Sequence, residues 1–447
     1  MKNSPRNLLI LSLLAAGIPY RACAVSLDLG ANYRVRAISA GNKLASEPSL
    51  SFYTQRLQLY MGTQLSRDVE ARFQIQAINP WGLEGSTTTA LQNTRYPSAN
   101  GTPWVQTAYL RAPKLLGQPI QLTVGRQPIT WGDGFVLTDD ELGFDAVRVQ
   151  AASPWPTVPL DTDIFYAKIS EGLIGPARDF GLFGALLGTG TEKTKRIEIY
   201  WLEEADGSGT LYEAGAETTP VRSSQITRQL LGFRIKGAIG DAYYKFEYAK
   251  QAGFVDRAGQ GSGDLTLQGS GLTVETGGVL PNQKYGVFNG FLNFAMGSGD
   301  SPGNGLKDSA FRPTFAHRWD GLERSGYGRY FAANVSDAYS TAALFSNSSA
   351  SQTGLPAGTS GIQILGGGIG YSPAIPFKAE AGYYNYTAKE SLSGAKNLGS
   401  EVDLTLHYQY TGFLSFSGVY ARFSPGDAYS PNPKTANLTE LEAEIKF

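Results

Sequence analysis

The chain has 447 residues, 42% hydrophobic, 12% aromatic and only 17% charged, with 54 glycines. That is too little charge for an ordinary soluble protein, where roughly 25% is usual, and too many aromatics for a disordered one. Thirty-eight Lys and Arg against 39 Asp and Glu leave no basic excess for nucleic acid, and beyond the N-terminus no apolar stretch of about 20 residues marks a membrane helix.

Lys2 and Arg6 precede an apolar run from Leu8 to Ile18, followed by Ala22-Cys23-Ala24. A charged start, a short apolar core and a small-x-small site form a secretory signal peptide. Cleavage after Ala24 is expected, giving a signal peptide over 1–24 and an exported chain over 25–447. The only cysteine leaves with the signal, so the mature chain has neither disulfide nor thiol chemistry.

Past residue 24 the polarity pattern has a period of two. Leu27, Leu29, Ala31, Tyr33 and Val35 alternate with Asp28, Gly30, Asn32, Arg34 and Arg36. Leu57, Leu59 and Met61 alternate with Arg56, Gln58 and Tyr60, and Val69, Ala71, Phe73 and Ile75 with Glu70, Arg72, Gln74 and Gln76. Such runs exceed the five or six residues of a soluble strand. They suit a bilayer, where tilted strands of about nine to eleven residues close on themselves and leave no backbone group unpaired.

Candidate strands cover 27–38, 52–65, 69–79, 104–112, 119–130, 143–151, 162–170, 180–188, 195–203, 228–239, 241–251, 265–277, 285–296, 361–371, 377–388, 400–411, 413–423 and 437–447. The fold class is therefore all-β: a transmembrane antiparallel barrel of eighteen strands, or sixteen, since 265–277 is the weakest. Even parity puts the tight turns at Ser66-Arg67-Asp68, Gly240-Asp241 and Thr411-Gly412 on the periplasmic side, and the long segments 80–103, 204–227, 297–360 and 424–436 outside. The last strand alternates Thr439, Leu441, Ala443 and Ile445 with Glu440, Glu442, Glu444 and Lys446, and ends on Phe447. A terminal aromatic there resembles the signal read by the barrel-assembly machinery. The expected place is the bacterial outer membrane, with its lipid as a partner.

Residues 125–134 read Gly-Arg-Gln-Pro-Ile-Thr-Trp-Gly-Asp-Gly and are followed by Phe144-Asp145-Ala146-Val147-Arg148. Phe294-Ala295-Met296-Gly297-Ser298-Gly299-Asp300 precedes a long loop with Phe311-Arg312-Pro313, His317 and Gly321, and Phe423-Ser424-Pro425-Gly426 comes before the final strand. In this order the pieces resemble the alginate-export family of outer-membrane proteins, over nearly the whole mature chain. The motif residues carried over are Gly125, Arg126, Gln127, Gly132, Asp133, Asp145, Gly299 and Asp300. The resemblance implies an eighteen-stranded conduit with an Arg- and Lys-lined bore for an anionic polysaccharide, covered by loops and served by periplasmic polysaccharide-secretion proteins.

Alternation alone points Arg34, Arg36, Arg56, Arg72, Arg148, Arg196, Arg234, Lys236, Lys245 and Lys446 inward. Facing them are Asp28, Glu70, Glu198, Glu247, Asp403, Glu440, Glu442 and Glu444. The acids of the last strand are expected to satisfy Arg34 and Arg36 on the first, leaving Arg56, Arg72, Arg148, Arg234 and Lys236 freer to meet an anion. A hydrated interior with no functional motive would also place these charges inward, because on the lipid face they cost roughly 2–4 kcal/mol each near the midplane. Arg126 shares the phase of Ile120, Leu122 and Val124. Either a bulge at Gly125 resets it or it sits at the outer rim. In the loop 297–360, Arg312, His317 and Arg318 are expected to face the exit path as part of a lid, with partly helical spacing from Tyr327 to Phe345.

Other motifs fail. His407 has Thr405 and Gln409 on its own strand face and no serine, so no hydrolytic pair emerges. Asp139, Asp140, Glu141 and Asp145 read as a solvated acidic loop before a calcium site. Gly259–Gly263 and Gly366–Gly370 lack the Lys-Ser/Thr of a phosphate loop. The chain is expected to be no enzyme and to hold no cofactor. Two readings stand: a channel passing an alginate-like anionic polysaccharide outward, and a general or substrate-selective porin for small solutes.

Overall fold

The computed structural model describes residues 26–447 apart from 42–49, 67, 82–100, 140, 153–158, 171–178, 192–193, 208–224, 257–263, 302–304, 312, 314, 316–326, 332–354, 357 and 430–433. The signal peptide, Arg312, His317 and Arg318 therefore lie outside the described residues, as does most of 327–345. In chain order the strands are β1 (Leu27–Gly41), β2 (Leu50–Ser66), β3 (Val69–Pro80), β4 (Trp104–Ala112), β5 (Ile120–Gln127), β6 (Thr130–Trp131) and β7 (Leu137–Thr138). Next come β8 (Phe144–Ala152), β9 (Leu160–Ser170), β10 (Phe180–Thr191), β11 (Lys195–Asp206), β12 (Gln225–Ile239), β13 (Ala242–Asp256) and β14 (Leu265–Asn282). The last are β15 (Gly286–Gly297), β16 (Lys307–Asp308), β17 (Thr359–Ser372), β18 (Phe377–Ser391), β19 (Asn397–Gln409), β20 (Leu414–Pro425) and β21 (Ala436–Lys446).

Eighteen of these strands form one closed antiparallel wall; β16 adds a two-residue parallel pairing on β14, and β6 and β7 pair with each other. Closure joins β1 to β21, from Asn32 opposite Lys446 to Gly41 opposite Asn437. Beyond the strand, Phe447 exchanges backbone hydrogen bonds with Ala31, at 3.0 and 2.7 Å. The expected count of eighteen holds. The strand judged weakest, 265–277, is the longest in the wall and runs on to Asn282. Its glycines lower strand propensity, yet they are the residues the packing requires. A Cβ on Gly271 would stand 2.3 Å from the Phe311 ring, and one on Gly269 would stand 2.7 Å from the Ala310 carbonyl oxygen.

Alternation separates two environments. On β2, Leu57, Leu59 and Met61 are 39–45% exposed on the outside of the wall, while Arg56 and Gln58 between them are 8% exposed inside. Burying polar side chains inward and presenting apolar ones outward inverts a soluble protein and matches a hydrocarbon solvent. The connections 67–68, 192–194, 240–241 and 410–413 are short and share one end of the barrel. The segments 81–103, 128–143, 207–224 and 298–358 share the other.

The main hydrophobic core lies inside the bore. Ile129, Trp131, Phe135, Val136 and Leu137 from the β5–β8 connection meet Phe311, Phe315, Tyr330 and Phe331 from the β15–β17 connection, and both pack on inward wall residues such as Phe165, Phe180 and Tyr386.

Candidate functional site

The glycine-rich motif after β5 builds a hairpin that turns into the bore. Thr130 pairs with Thr138 and Trp131 with Leu137 across β6 and β7. Gly132 takes φ +63° at the bend, where a Cβ would stand 2.5 Å from Arg234 Nη1 and 2.8 Å from Glu247 Oε2 on the wall. Only glycine fits that conformation and approach without strain. Trp131 donates from Nε1 to Asp163 Oδ2 at 3.0 Å and packs edge-on against Phe165 at 5.3 Å.

The loop that carries this hairpin is bonded across the barrel. Glu141 accepts from Arg56 Nη1 on β2 at 3.0 Å, and Asp133 binds Lys245 Nζ on β13 at 3.0 Å. Those two strands are nine apart in the ring of eighteen, on opposite walls.

Described parts of the β15–β17 connection, among them Phe311, Phe315 and 327–331, lie inside the bore as a strap. Gly299 and Asp300 set its departure from the wall: the Asp300 N–H donates to Ser360 Oγ at 2.8 Å, and Asp300 Oδ1 accepts the Ser309 N–H at 3.0 Å. Phe311 stacks on Phe135 of the hairpin at 5.5 Å, and the Phe315 carbonyl accepts the Thr138 N–H at 2.6 Å. Further along, Tyr327 shares a hydrogen bond with Thr273 on β14 at 2.8 Å, while its carbonyl accepts from the Tyr386 hydroxyl on β18 at 2.6 Å. Glu401 on β19 accepts the backbone N–H groups of Tyr330 and Phe331 at 2.6 and 2.8 Å, and Asp403 accepts that of Arg329 at 3.0 Å. Phe331 stacks on Tyr386 with centroids 3.9 Å apart. Alternation had marked Asp403 as an inward acid; that it and Glu401 hold a loop backbone has no local sequence signal.

The lumen cations sit inward as alternation required, but they are not free. Arg36 Nε meets Glu442 at 2.7 Å and Glu440 at 3.3 Å, and Arg34 meets Glu442 at 3.6 Å, the seam pairing expected from the sequence. The expectation that Arg56, Arg72, Arg148, Arg234 and Lys236 stay freer is corrected. Arg56 binds Glu141, Arg72 lies 3.5 Å from Asp28, Arg148 binds Asp163, and Arg234 binds Glu198. Lys236 is partnered as well. Glu141 comes from a loop and Asp28 from the next strand but one, which a single-strand pattern does not reveal.

Arg126 resolves to the rim. Thr123 and Gln127 are buried inward while Val124 is exposed outward, so the phase is kept through Gly125 despite its φ of +117°. Arg126 therefore faces outward, donating to the Leu142 carbonyl at 3.1 Å and pairing with Asp145 Oδ2 at 2.8 Å. Gln127, buried, donates to the Ala146 carbonyl at 2.9 Å. Among the described residues, the acids Asp139, Glu141 and Asp145 do not converge. Asp139 caps the Gly143 N–H at 3.1 Å, Glu141 turns to Arg56 and Asp145 to Arg126. His407 meets a serine after all, Ser417 on the neighbouring β20, with Nδ1 to Oγ 3.0 Å.

Among the described residues, two cavities stand out along the bore. One, of about 810 Å³, is lined by Lys114, Arg148, Arg196 and Arg234 against Asp161, Asp163 and Glu198, with Trp131 among its walls. The other, of about 500 Å³, lies along the seam, where Arg34, Arg36, Arg329 and Lys378 face Glu380, Glu440, Glu442 and Glu444. Charge in the first exceeds neutrality by one cation, and in the second it balances.

With this geometry in hand, comparison with solved structures places the architecture. OccAB4 of Acinetobacter baumannii superposes with a TM-score of 0.53 at 11% identity, covering 94% of this chain and 98% of that one. The fold is that of an outer-membrane barrel. OccK8 (OprE) and OccK5 (OpdH) of Pseudomonas aeruginosa match with TM-scores of 0.51 and 0.50 at 12% and 9% identity, each covering 94% of this chain and 98% of the other. The alginate-export resemblance receives no name from these neighbours. No family model matches the chain, and no curated protein does.

Proposed function

We propose that the chain is a porin of the bacterial outer membrane that admits small polar solutes by size and by weak charge selection. The observation that carries the reading is the constriction: a hairpin bonded to opposite walls and a strap packed against it, joined by an aromatic core inside the bore. Small solutes need only openings of the scale of the polar cavities beside such a core. A polysaccharide chain needs a continuous bore, so polymer export requires both loops to leave.

Charge supports the same reading. Paired cations present a mixed lattice that solvates dipolar and neutral solutes, whereas a polyanion would be drawn by an uncompensated basic lining. The purified barrel in liposomes tests this. Swelling in mono- and disaccharides and amino acids, with a sharp size cut-off and no block by polyuronate, is expected. Polyuronate passage at wild-type loop length would overturn the porin reading and restore the export one.

A further inference from the structure

On the inner wall of β1, β2 and β3, toward the end with the short turns, two glycines let their neighbours lie down along the sheet. Asp28, Gly62 and Arg72 form one row of the strand register, and Gly30, Tyr60 and Gln74 form the next. A Cβ on Gly30 would run into the Tyr60 ring, and one on Gly62 would stand 2.5 Å from Arg72 Nη1. The Tyr60 ring therefore lies across β1, and the Arg72 guanidinium reaches over β2 toward Asp28. All three side chains share the inward phase of Arg34 and Arg56, yet they are open to the bore where those arginines are covered. Tyr60 is 40% exposed, and the side chains of Arg72 and Asp28 are 42% and 68% exposed.

The polar atoms of this patch keep their hydrogen-bonding capacity. Arg72 lies 3.5 Å from Asp28 and 3.9 Å from Glu70, and neither Arg72 nor Asp28 makes a side-chain hydrogen bond among the described residues. The Tyr60 hydroxyl makes none either, and Gln74 donates from Nε2 to Gln106 at 2.9 Å with its own carbonyl oxygen left over. Glu70 is held by Arg111 at 2.9 Å, so Arg72 and Asp28 answer each other and the patch has no net charge. An exposed pair of this kind contributes little to stability, so both groups can turn to a ligand at small cost. An anion would meet Asp28 and a cation would meet Arg72, whereas a neutral polyol has a donor for one and an acceptor for the other.

We propose that this patch is a saccharide subsite in the bore: the C–H face of a neutral pyranose lies on the Tyr60 ring, one hydroxyl donates to Asp28 and its neighbour accepts from Arg72. The assignment rests on the porin reading and names a solute class for it. Ring and ion pair occupy successive inward positions, roughly 7 Å apart along a strand, which is the span of a pyranose with its hydroxyls. An aromatic face with a few placed polar groups is the usual make-up of a small-molecule site.

The test uses the full barrel in planar bilayers, with the ion current read as sugar is added. Cellobiose is expected to block the current in a saturable way, whereas sorbitol at equal mass, which has the hydroxyls but no ring face, is not. Tyr60→Ala should weaken the block about tenfold, the loss of one aromatic contact, while Tyr60→Phe keeps the face and should hold it within about twofold. Asp28→Asn should weaken cellobiose and let glucuronate block, because Arg72 then stands without its counterion. An unchanged heat-shift on gels would show that the variants keep the barrel. Equal block by sorbitol, or wild-type block in Tyr60→Ala, overturns the proposal. Glucuronate blocking the wild type more tightly than cellobiose overturns the neutral assignment. Liposomes that swell in sugars around an unblocked channel overturn the subsite alone; block without swelling upholds the subsite and overturns the porin reading.

Discussion

Asp163 grips Arg148 with both carboxylate oxygens, Oδ1 to Nε at 2.8 Å and Oδ2 to Nη2 at 2.6 Å. This fork is the strong, oriented form of the Arg–carboxylate contact. The same Oδ2 accepts Trp131 Nε1. One carboxylate thus neutralises a wall cation and fixes the hairpin that narrows the bore, so charge compensation and constriction are the same piece of structure.

Asp163→Asn is expected to do two things at once. It leaves Arg148 as an uncompensated cation facing the larger cavity, and it weakens the anchor of Trp131. Wild type should show weak ion selectivity, because its inward charges are paired. The variant should shift the reversal potential toward anions in a salt gradient and raise conductance modestly. An unshifted reversal potential would mean that Arg148 does not face the permeation path.

Phe311→Ala addresses the core between the two loops. Phe311 is fully buried and stacks on Phe135. Truncating a buried Phe costs about 3–5 kcal/mol, which falls on loop docking, since the hydrogen-bonded wall does not depend on this ring. Larger conductance with frequent open bursts is expected, at an unchanged barrel melting temperature. A lower melting temperature at constant conductance would show that the core braces the wall and does not obstruct the bore.

The wall was legible in the sequence, and so in part was the inward packing of the long loop expected as a lid, whose Phe311, Phe315, Tyr330 and Phe331 lie in the bore; the hairpin they meet was not. Every strand expected from the two-residue period is present, because a barrel with lipid outside and water inside imposes that period on each crossing. Strand ends were less legible. β14 passes through Gly277, Gly278 and Pro281, where propensity argues for a turn, and continues because β15 pairs with it as far as Asn282. Loop residues follow no period, so nothing local announces that Trp131 turns into the bore or that Phe311 meets Phe135 there. The partners of the lumen arginines were illegible for the same reason: Glu141 lies 85 positions from Arg56. The motif residues were visible, but their geometry is structural. Gly132 permits the hairpin bend, Asp300 sets the strap's departure, and Arg126 with Asp145 marks the outer rim.

Glu401→Gln tests the strap. The carboxylate accepts two backbone N–H groups from the strap, and hydrogen bonds to a charged group contribute about 1.5–3 kcal/mol each. The amide keeps one acceptor oxygen and loses the charge. Brief openings of a larger conductance level are expected, more often than in wild type, with sugar uptake rising in parallel. Asp403→Asn, which holds one strap N–H, that of Arg329, and a side-chain hydrogen bond to Glu401, should show a smaller effect in the same direction. Equal effects would place the anchoring force elsewhere, in the Phe331–Tyr386 stack.

Arg36→Ala tests the seam that closes the barrel. Its guanidinium is buried between β1 and β21 and meets both Glu440 and Glu442. Removing one partner from a buried pair costs about 3–5 kcal/mol, because the other charge is left uncompensated. Two carboxylates lose a counterion here, and Arg34, 3.6 Å from Glu442, compensates only part of it. The expected result is a lower melting temperature and faster unfolding in denaturant, with little relief from added salt, since buried pairs are poorly screened. Adding Glu442→Gln to Arg36→Ala should recover part of the loss, because it removes the stranded charge. If the double variant is less stable than Arg36→Ala alone, Glu442 is held by Arg34 more strongly than by Arg36, and the seam is organised around Arg34.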